Sequence, residues 1–242
     1  MMLRWVLHGI AAAGLVAAPV ALAQDGDDSV GWQEAPGVVP VGKLDRIYGK
    51  PDARFSLIIW LDPECPYCKL LGAQPEHVVD TSSGRVNLAV RLYPLPFHGP
   101  NAVLAASTAL CVAEQAGSSG FYHFLSAWMA KTGSNGRGIG AGDGRDDPVA
   151  AMAAASGARN LDKLAGCTAS DKTAGRLAAE MKTGDLAGIE GTPAIAVRDN
   201  RQGHTIMVSG AIGEDEMRNA IRLLSHAADE TSPTGVPAGA TQ

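Results

Sequence analysis

Two cysteines stand three residues apart in Cys65-Pro66-Tyr67-Cys68, where the apolar run Phe55 to Leu61 gives way to a helical pattern. At the first turn of a helix the backbone N–H groups have no internal partner and the dipole is positive, so a thiolate on Cys65 is stabilised there. Cys65 is the expected nucleophile. Cys68 lies one turn further on the same face, where it can close a short disulfide with Cys65 or resolve a mixed disulfide formed on it. Pro66 costs no hydrogen bond at the first helical position, and Tyr67 sets a ring where a client chain would lie. Asp62 and Glu64 are close in sequence and oppose the thiolate, weakly if they are solvated. Half a zinc site is the competing reading, but Cys111 and Cys167 are remote from each other and have no His or Cys neighbours in sequence. A c-type haem is excluded because Lys69 stands where that motif requires His.

A second marker is Gly191-Thr192-Pro193, just ahead of the apolar stretch Ala194 to Arg198. Proline at the start of a buried strand marks a turn, and spacing alone leaves a cis and a trans bond equally open.

The elements that must position these residues follow a simple order. Phe55 to Leu61 has the length and β-branched content of a strand buried on both faces. Pro66 to Val79 is helical, bent near Gly72 and Pro75, and Val86 to Tyr93 returns as a strand, completing a β-α-β unit. Asn101 to Gln115, Phe121 to Lys131, Pro148 to Ala155 and Ser170 to Lys182 form a helical block. Gly133 to Asp147, with six glycines, interrupts it as a flexible surface loop. No strand precedes those glycines and no P-loop Lys follows, so they do not read as a phosphate cradle. Ala194 to Arg198 and His204 to Ser209 form a hairpin, and Glu214 to Ser225 an amphipathic helix.

Composition bounds the rest. A chain of 242 residues with 46% hydrophobic content and a net charge of −5 is globular and offers no basic footprint for nucleic acid. Arg4, the apolar stretch Ile10 to Val20 and the ending Ala21-Leu22-Ala23 read as an export signal over residues 1–23, cleaved after Ala23, with an uncleaved anchor as the alternative. Leu164-Ala165-Gly166-Cys167 matches a lipobox only by chance, because it lies deep in the chain. Residues 24–44 and 227–242 are rich in Gly and Pro and are expected to be loosely attached. The expected localisation is therefore the periplasm, where disulfides persist.

Strand, C-x-x-C at a helix start, strand, helical insertion, then G-T-P-A, hairpin and helix resembles the thioredoxin fold. More narrowly it resembles the catalytic domain of the periplasmic thiol:disulfide interchange proteins of the DsbC/DsbG (DsbA-like) family. The resemblance spans about Ile47 to Leu224. It implies an α/β, thioredoxin-like domain over 45–226, with the insertion at about 100–186 between the β-α-β and β-β-α halves. It implies a redox pair at Cys65 and Cys68, and a cis-proline at Pro193, preceded by Thr192, in a loop that pairs with client peptide beside Pro66 and Tyr67. A structural disulfide between Cys111 and Cys167 is also implied. The DsbC/DsbG dimerisation domain has no counterpart before Asp45, which points to a monomer. Thioredoxin and DsbA carry a buried acid in the central strand for proton transfer to the inner cysteine. Leu57 to Leu61 offers none, which leaves water or the client to serve.

The implied function is an exported oxidoreductase that reduces, isomerises or forms disulfides in cysteine-containing client proteins, recycled by a membrane redox partner and needing no cofactor or metal. The alternative is a copper-handling chaperone using both thiolates with His98, His204 or Met207.

Overall fold

The computed structural model describes residues 31–141 and 147–230. The expected leader 1–23, residues 24–30, the far part of the Gly-rich stretch at 142–146 and residues 231–242 lie outside the described residues. The strands are β1 (Gln33–Glu34), β2 (Ile47–Gly49), β3 (Phe55–Leu61), β4 (Val86–Leu92), β5 (Ala194–Asp199) and β6 (Thr205–Ser209). The helices are α1 (Pro66–Leu71), α2 (Gln74–Asp80), α3 (Gly99–Lys131), α4 (Pro148–Ala155), α5 (Leu161–Thr168), α6 (Asp171–Leu186) and α7 (Glu214–Glu230). The fold is mixed α/β and thioredoxin-like, with α3 to α6 inserted between the two halves of the sheet.

The sheet runs β1-β6-β5-β3-β4-β2. β3 and β4 are parallel, as a helical crossover requires, and every other pairing is antiparallel. All seven residues of β3 are buried. Phe55, Leu57, Ile59 and Leu61 enter one apolar cluster with residues of α2, α3 and α7, whereas Ile58 and Trp60 enter another with Ala35, Val38, Tyr93 and Ile189. Burial on both faces is what makes the strand a continuous apolar run in sequence.

Residues 33–44, the larger part of the stretch expected to be loosely attached, are held on the sheet. β1 pairs with β6, and Ala35 and Val38 are buried. The physical cause is Arg91 of β4, a cation buried on the sheet face beside Trp60. Its guanidinium donates to Val39 O at 2.9 Å, to Pro40 O at 3.1 Å and to the Asp45 carboxylate, and so draws residues 39–45 across the sheet. At the other end α7 continues to Glu230, past the expected boundary at residue 226.

The helices also differ in detail. Gly72, at φ +53°, divides the first helical stretch into α1 and α2. The two stretches expected over Asn101 to Lys131 are joined as α3 through a break at Gly117, whose φ is +68°. α5 is an element the sequence reading lacks; it starts where the Asn160 side chain accepts from Lys163 N at 2.8 Å. Cys111 of α3 is disulfide-bonded to Cys167 of α5, closing a separation of 56 residues. A Cys111→Ser/Cys167→Ser double variant should lose about 4 kcal/mol by the chain-entropy estimate. Urea unfolding in a background lacking Cys65 and Cys68 measures this, and the alkylation rate of Cys65 in the redox-intact chain should not change.

Candidate active site

Cys65 occupies the cap position of α1, with extended backbone angles and Pro66 as the first helical residue. Its N–H donates to Asp62 O at 3.1 Å and its carbonyl accepts from Lys69 N at 3.1 Å, so the chain turns from strand to helix within three residues. Cys65 is 3% exposed and Cys68 is fully buried, so an approaching sulfur meets Cys65 first. Tyr67 and Leu70 point outward, and Phe97 lies exposed after β4.

Thr192 and Pro193 come to the same place. The Thr192–Pro193 bond is cis, and the Cys65 Sγ donates to Thr192 O at 3.1 Å across 127 residues of sequence. Thr192 Oγ1 is buried beside the two sulfurs and makes no hydrogen bond of regular geometry. The structure thus brings Cys65, Pro66, Tyr67, Cys68, Thr192 and Pro193 together; Cys111 and Cys167 are joined separately, in the helical insertion.

The two thiols are driven apart in acidity. Cys65 is lowered to about 6, chiefly because the Cys68 thiol hydrogen-bonds to its sulfur. Burial opposes this, and the Thr192 hydroxyl and the N–H groups of Cys68 and Tyr67 add to it. Burial and the neighbouring Cys65 charge push Cys68 well up. One thiol is therefore an anion near neutral pH while the other holds its proton.

Asp62 and Glu64, which their place in the sequence set against the thiolate, are enclosed by donors. Both are fully buried. Asp62 accepts from Glu64 N at 2.7 Å, from Leu95 N at 2.7 Å and meets His98 Nδ1 at 2.7 Å. Glu64 accepts from Trp128 Nε1 at 2.7 Å, Thr132 Oγ1 at 2.6 Å and Gly138 N at 3.1 Å. Charge held by so many donors stabilises the turn rather than opposing its cysteine. The near part of the Gly-rich stretch is likewise fixed: Asn135 N donates to Glu64 O at 2.7 Å, and Asn101 Nδ2 to Gly136 O at 2.9 Å. Gly136 adopts φ +79°, and a Cβ there would fall 2.6 Å from His98 O. His98 and His204 are each engaged by a carboxylate, Asp62 and Glu34 respectively, both at 2.7 Å.

The family model described as Thioredoxin matches residues 43–222. The chain belongs to the thioredoxin family. Among solved structures it is similar to DsbA2 of Pseudomonas aeruginosa, at 27% identity and a TM-score of 0.64 over 77% of this chain and 96% of that one. It is also similar in fold to BdbD of Bacillus subtilis, at 19% identity and a TM-score of 0.63 over 79% and 98% of the two chains. The thiol-disulfide exchange protein alpha-DsbA2 of Wolbachia pipientis matches at 17% identity and 0.59, over 74% and 87%. No curated protein sequence matches the chain. The structural likeness is thus to DsbA-type members of the thioredoxin superfamily, not specifically to the DsbC/DsbG type that the sequence suggested.

Two outcomes follow from this geometry. The midpoint of Cys65 thiolate absorbance should lie near 6 in the intact protein and rise in Cys68→Ala, which removes the largest donor; Cys68→Ser, which keeps a hydroxyl, should fall between them. Glu64→Ala leaves three buried donors without an acceptor, at about 1–3 kcal/mol each. Chemical denaturation should therefore show a loss of roughly 3 kcal/mol or more.

Proposed function

We propose that this member of the thioredoxin family is an exported thiol:disulfide oxidoreductase that acts on cysteines of client proteins through Cys65 and Cys68. The geometry that carries the reading is Cys65 at the cap of α1, 3.1 Å from Thr192 O, with Cys68 buried one turn behind it; the setting favours the thiolate on the first and the thiol on the second. With the pair oxidised, a client thiolate attacks Cys65 Sγ, the Cys65–Cys68 bond breaks, and Cys68 leaves as a thiolate that takes up a proton. A second client thiolate then attacks the mixed disulfide; the client disulfide forms and Cys65 departs as its stabilised thiolate. The client gains a disulfide, the protein is left with two reduced cysteines, and a membrane redox partner restores it.

Thr192 and Pro193 suit the client side of this exchange, because the backbone beside Cys65 can pair with an extended peptide while Pro66 and Tyr67 form the opposite wall. The DsbA-type likeness and the lowered Cys65 thiol favour disulfide donation over isomerisation. Export to the periplasm fits the same likeness and the expected leader.

Trapping tests the reading. Cys68→Ala expressed with its leader should accumulate mixed disulfides with exported proteins through Cys65, and Cys65→Ala/Cys68→Ala should accumulate none. The oxidised protein should reactivate a fully reduced disulfide protein at least tenfold faster than the reduced protein reactivates a scrambled one. The reverse ratio would mark an isomerase, and stoichiometric copper binding without adducts would mark a metal carrier.

A further inference from the structure

Resolution by Cys68 needs a base, because burial holds this thiol protonated. The central strand carries no acidic residue. Asp62 and Glu64, the acids nearest in sequence, each have their carboxylate oxygens taken up by donors. One acidic side chain near the site has no such engagement. Glu76 of α2 is partly buried, and among the described residues its carboxylate has no ion pair and no hydrogen bond from another residue. Desolvation holds its carboxyl above the usual range. The partly buried carboxylate, which among the described residues is bonded only by its own backbone N–H, keeps the capacity to take up a proton.

A cavity of about 40 Å³ has both Cys68 and Glu76 in its wall. Ile59, Leu61, Leu88 and Val90 make most of the remaining wall apolar, and Ser126 adds one hydroxyl. This volume accommodates about two waters, and Cys68, Glu76, Tyr122 and Ser126 are the residues of its wall that carry polar side-chain groups. The other titratable groups near Glu76 are Asp80 on the same helix, Tyr48 of β2 and Tyr122 of α3; both tyrosines are held above their ordinary range.

From the shared cavity we infer that Glu76 is the proton acceptor for Cys68, reached through water, in the step that resolves the mixed disulfide. The inference rests on the thiol-exchange reading above. The Cys68 proton passes to the Glu76 carboxylate, the resulting thiolate attacks Cys65 Sγ, the Cys65–Cys68 bond forms, and the thiol bound to Cys65 leaves as a thiolate. Glu76 then returns its proton to solvent. In the opposite direction it returns a proton to Cys68 as that sulfur departs. A place on α2 instead of on the strand makes Glu76 independent of the strand's packing, and the strand can remain wholly apolar.

Oxidised glutathione is the probe. Mixed with the reduced protein and acid-quenched, it gives a glutathione adduct on Cys65 whose lifetime is set by the attack of Cys68. In Glu76→Gln this lifetime should lengthen at least tenfold near neutral pH, as expected when a general base is removed. The alkylation rate of Cys65 should stay at the wild-type value, and the melting temperature should be unchanged or higher. Glu76→Asp should recover part of the resolution rate. Wild-type resolution should slow as pH falls through the Glu76 titration, and that limb should vanish in Glu76→Gln. An unchanged adduct lifetime in Glu76→Gln, or slowing that merely tracks a lower melting temperature, overturns the assignment alone. A wild-type protein that forms no adduct on Cys65 overturns the thiol-exchange reading and this assignment with it.

Discussion

The contact between Cys65 Sγ and the carbonyl of Thr192, 3.1 Å apart across 127 residues, is the constraint on which the rest of the site depends. It is a consequence of sheet register. β3 delivers the turn that carries Cys65 and Cys68 from its C-terminal end, and β5 runs antiparallel beside it with Ala194 opposite Trp60. The loop before β5 and the loop after β3 therefore meet at one edge of the sheet. The different side chains that β3 sends to its two buried faces fix that register, since a slip of one residue would turn Ile58 and Trp60 into the cluster of Phe55, Leu57 and Ile59. Within this meeting point a helix start, a buried neighbouring thiol and a threonine hydroxyl all favour the same thiolate.

Two buried carboxylates hold the turn in place from different sides. Asp62 ties it to the segment after β4 through Leu95 and His98. Glu64 ties it to the helical insertion through Trp128, Thr132 and Gly138, and Lys69 adds a bond to Thr132 O at 3.0 Å. The insertion is thus part of the frame of the redox turn as well as a cover over the sheet. The Gly-rich stretch earns its composition here, because only a residue without a side chain can follow the backbone of His98 as closely as Gly136 does.

Much of this frame could be read in advance because its signals are local. A continuous apolar run, a C-x-x-C with proline inside it and a proline ahead of a second apolar run lie within a few residues of one another and dictate strand, helix start and loop. What escaped depends on distant partners. The roles of Asp62 and Glu64 are decided by donors 33 to 74 residues away, so sequence proximity to Cys65 suggested repulsion where the fold supplies hydrogen bonds. Residues 33–45 looked unattached because the demand that orders them comes from Arg91, about 50 residues on. Composition likewise mistook residues 133–138 for a free loop. α5 has a legible local signal, Asn160 ahead of Leu161 and Leu164, but it is only 8 residues long and directly precedes the longer α6. The three-dimensional comparison supports the coarser likeness, to the thioredoxin superfamily with DsbA2 of Pseudomonas aeruginosa among the similar structures, and not the narrower one to DsbC and DsbG.

A stabilised Cys65 thiolate is the centre of the proposed chemistry, and the equilibrium potential of the Cys65–Cys68 pair tests it most directly. A low-energy thiolate favours the reduced form and makes the disulfide a readier oxidant. Equilibration in glutathione buffers should give a potential clearly above the value of about −270 mV characteristic of thioredoxin. A potential at or below that value would contradict the account, because it would mean that the helix start, Cys68 and Thr192 do not stabilise the thiolate they surround.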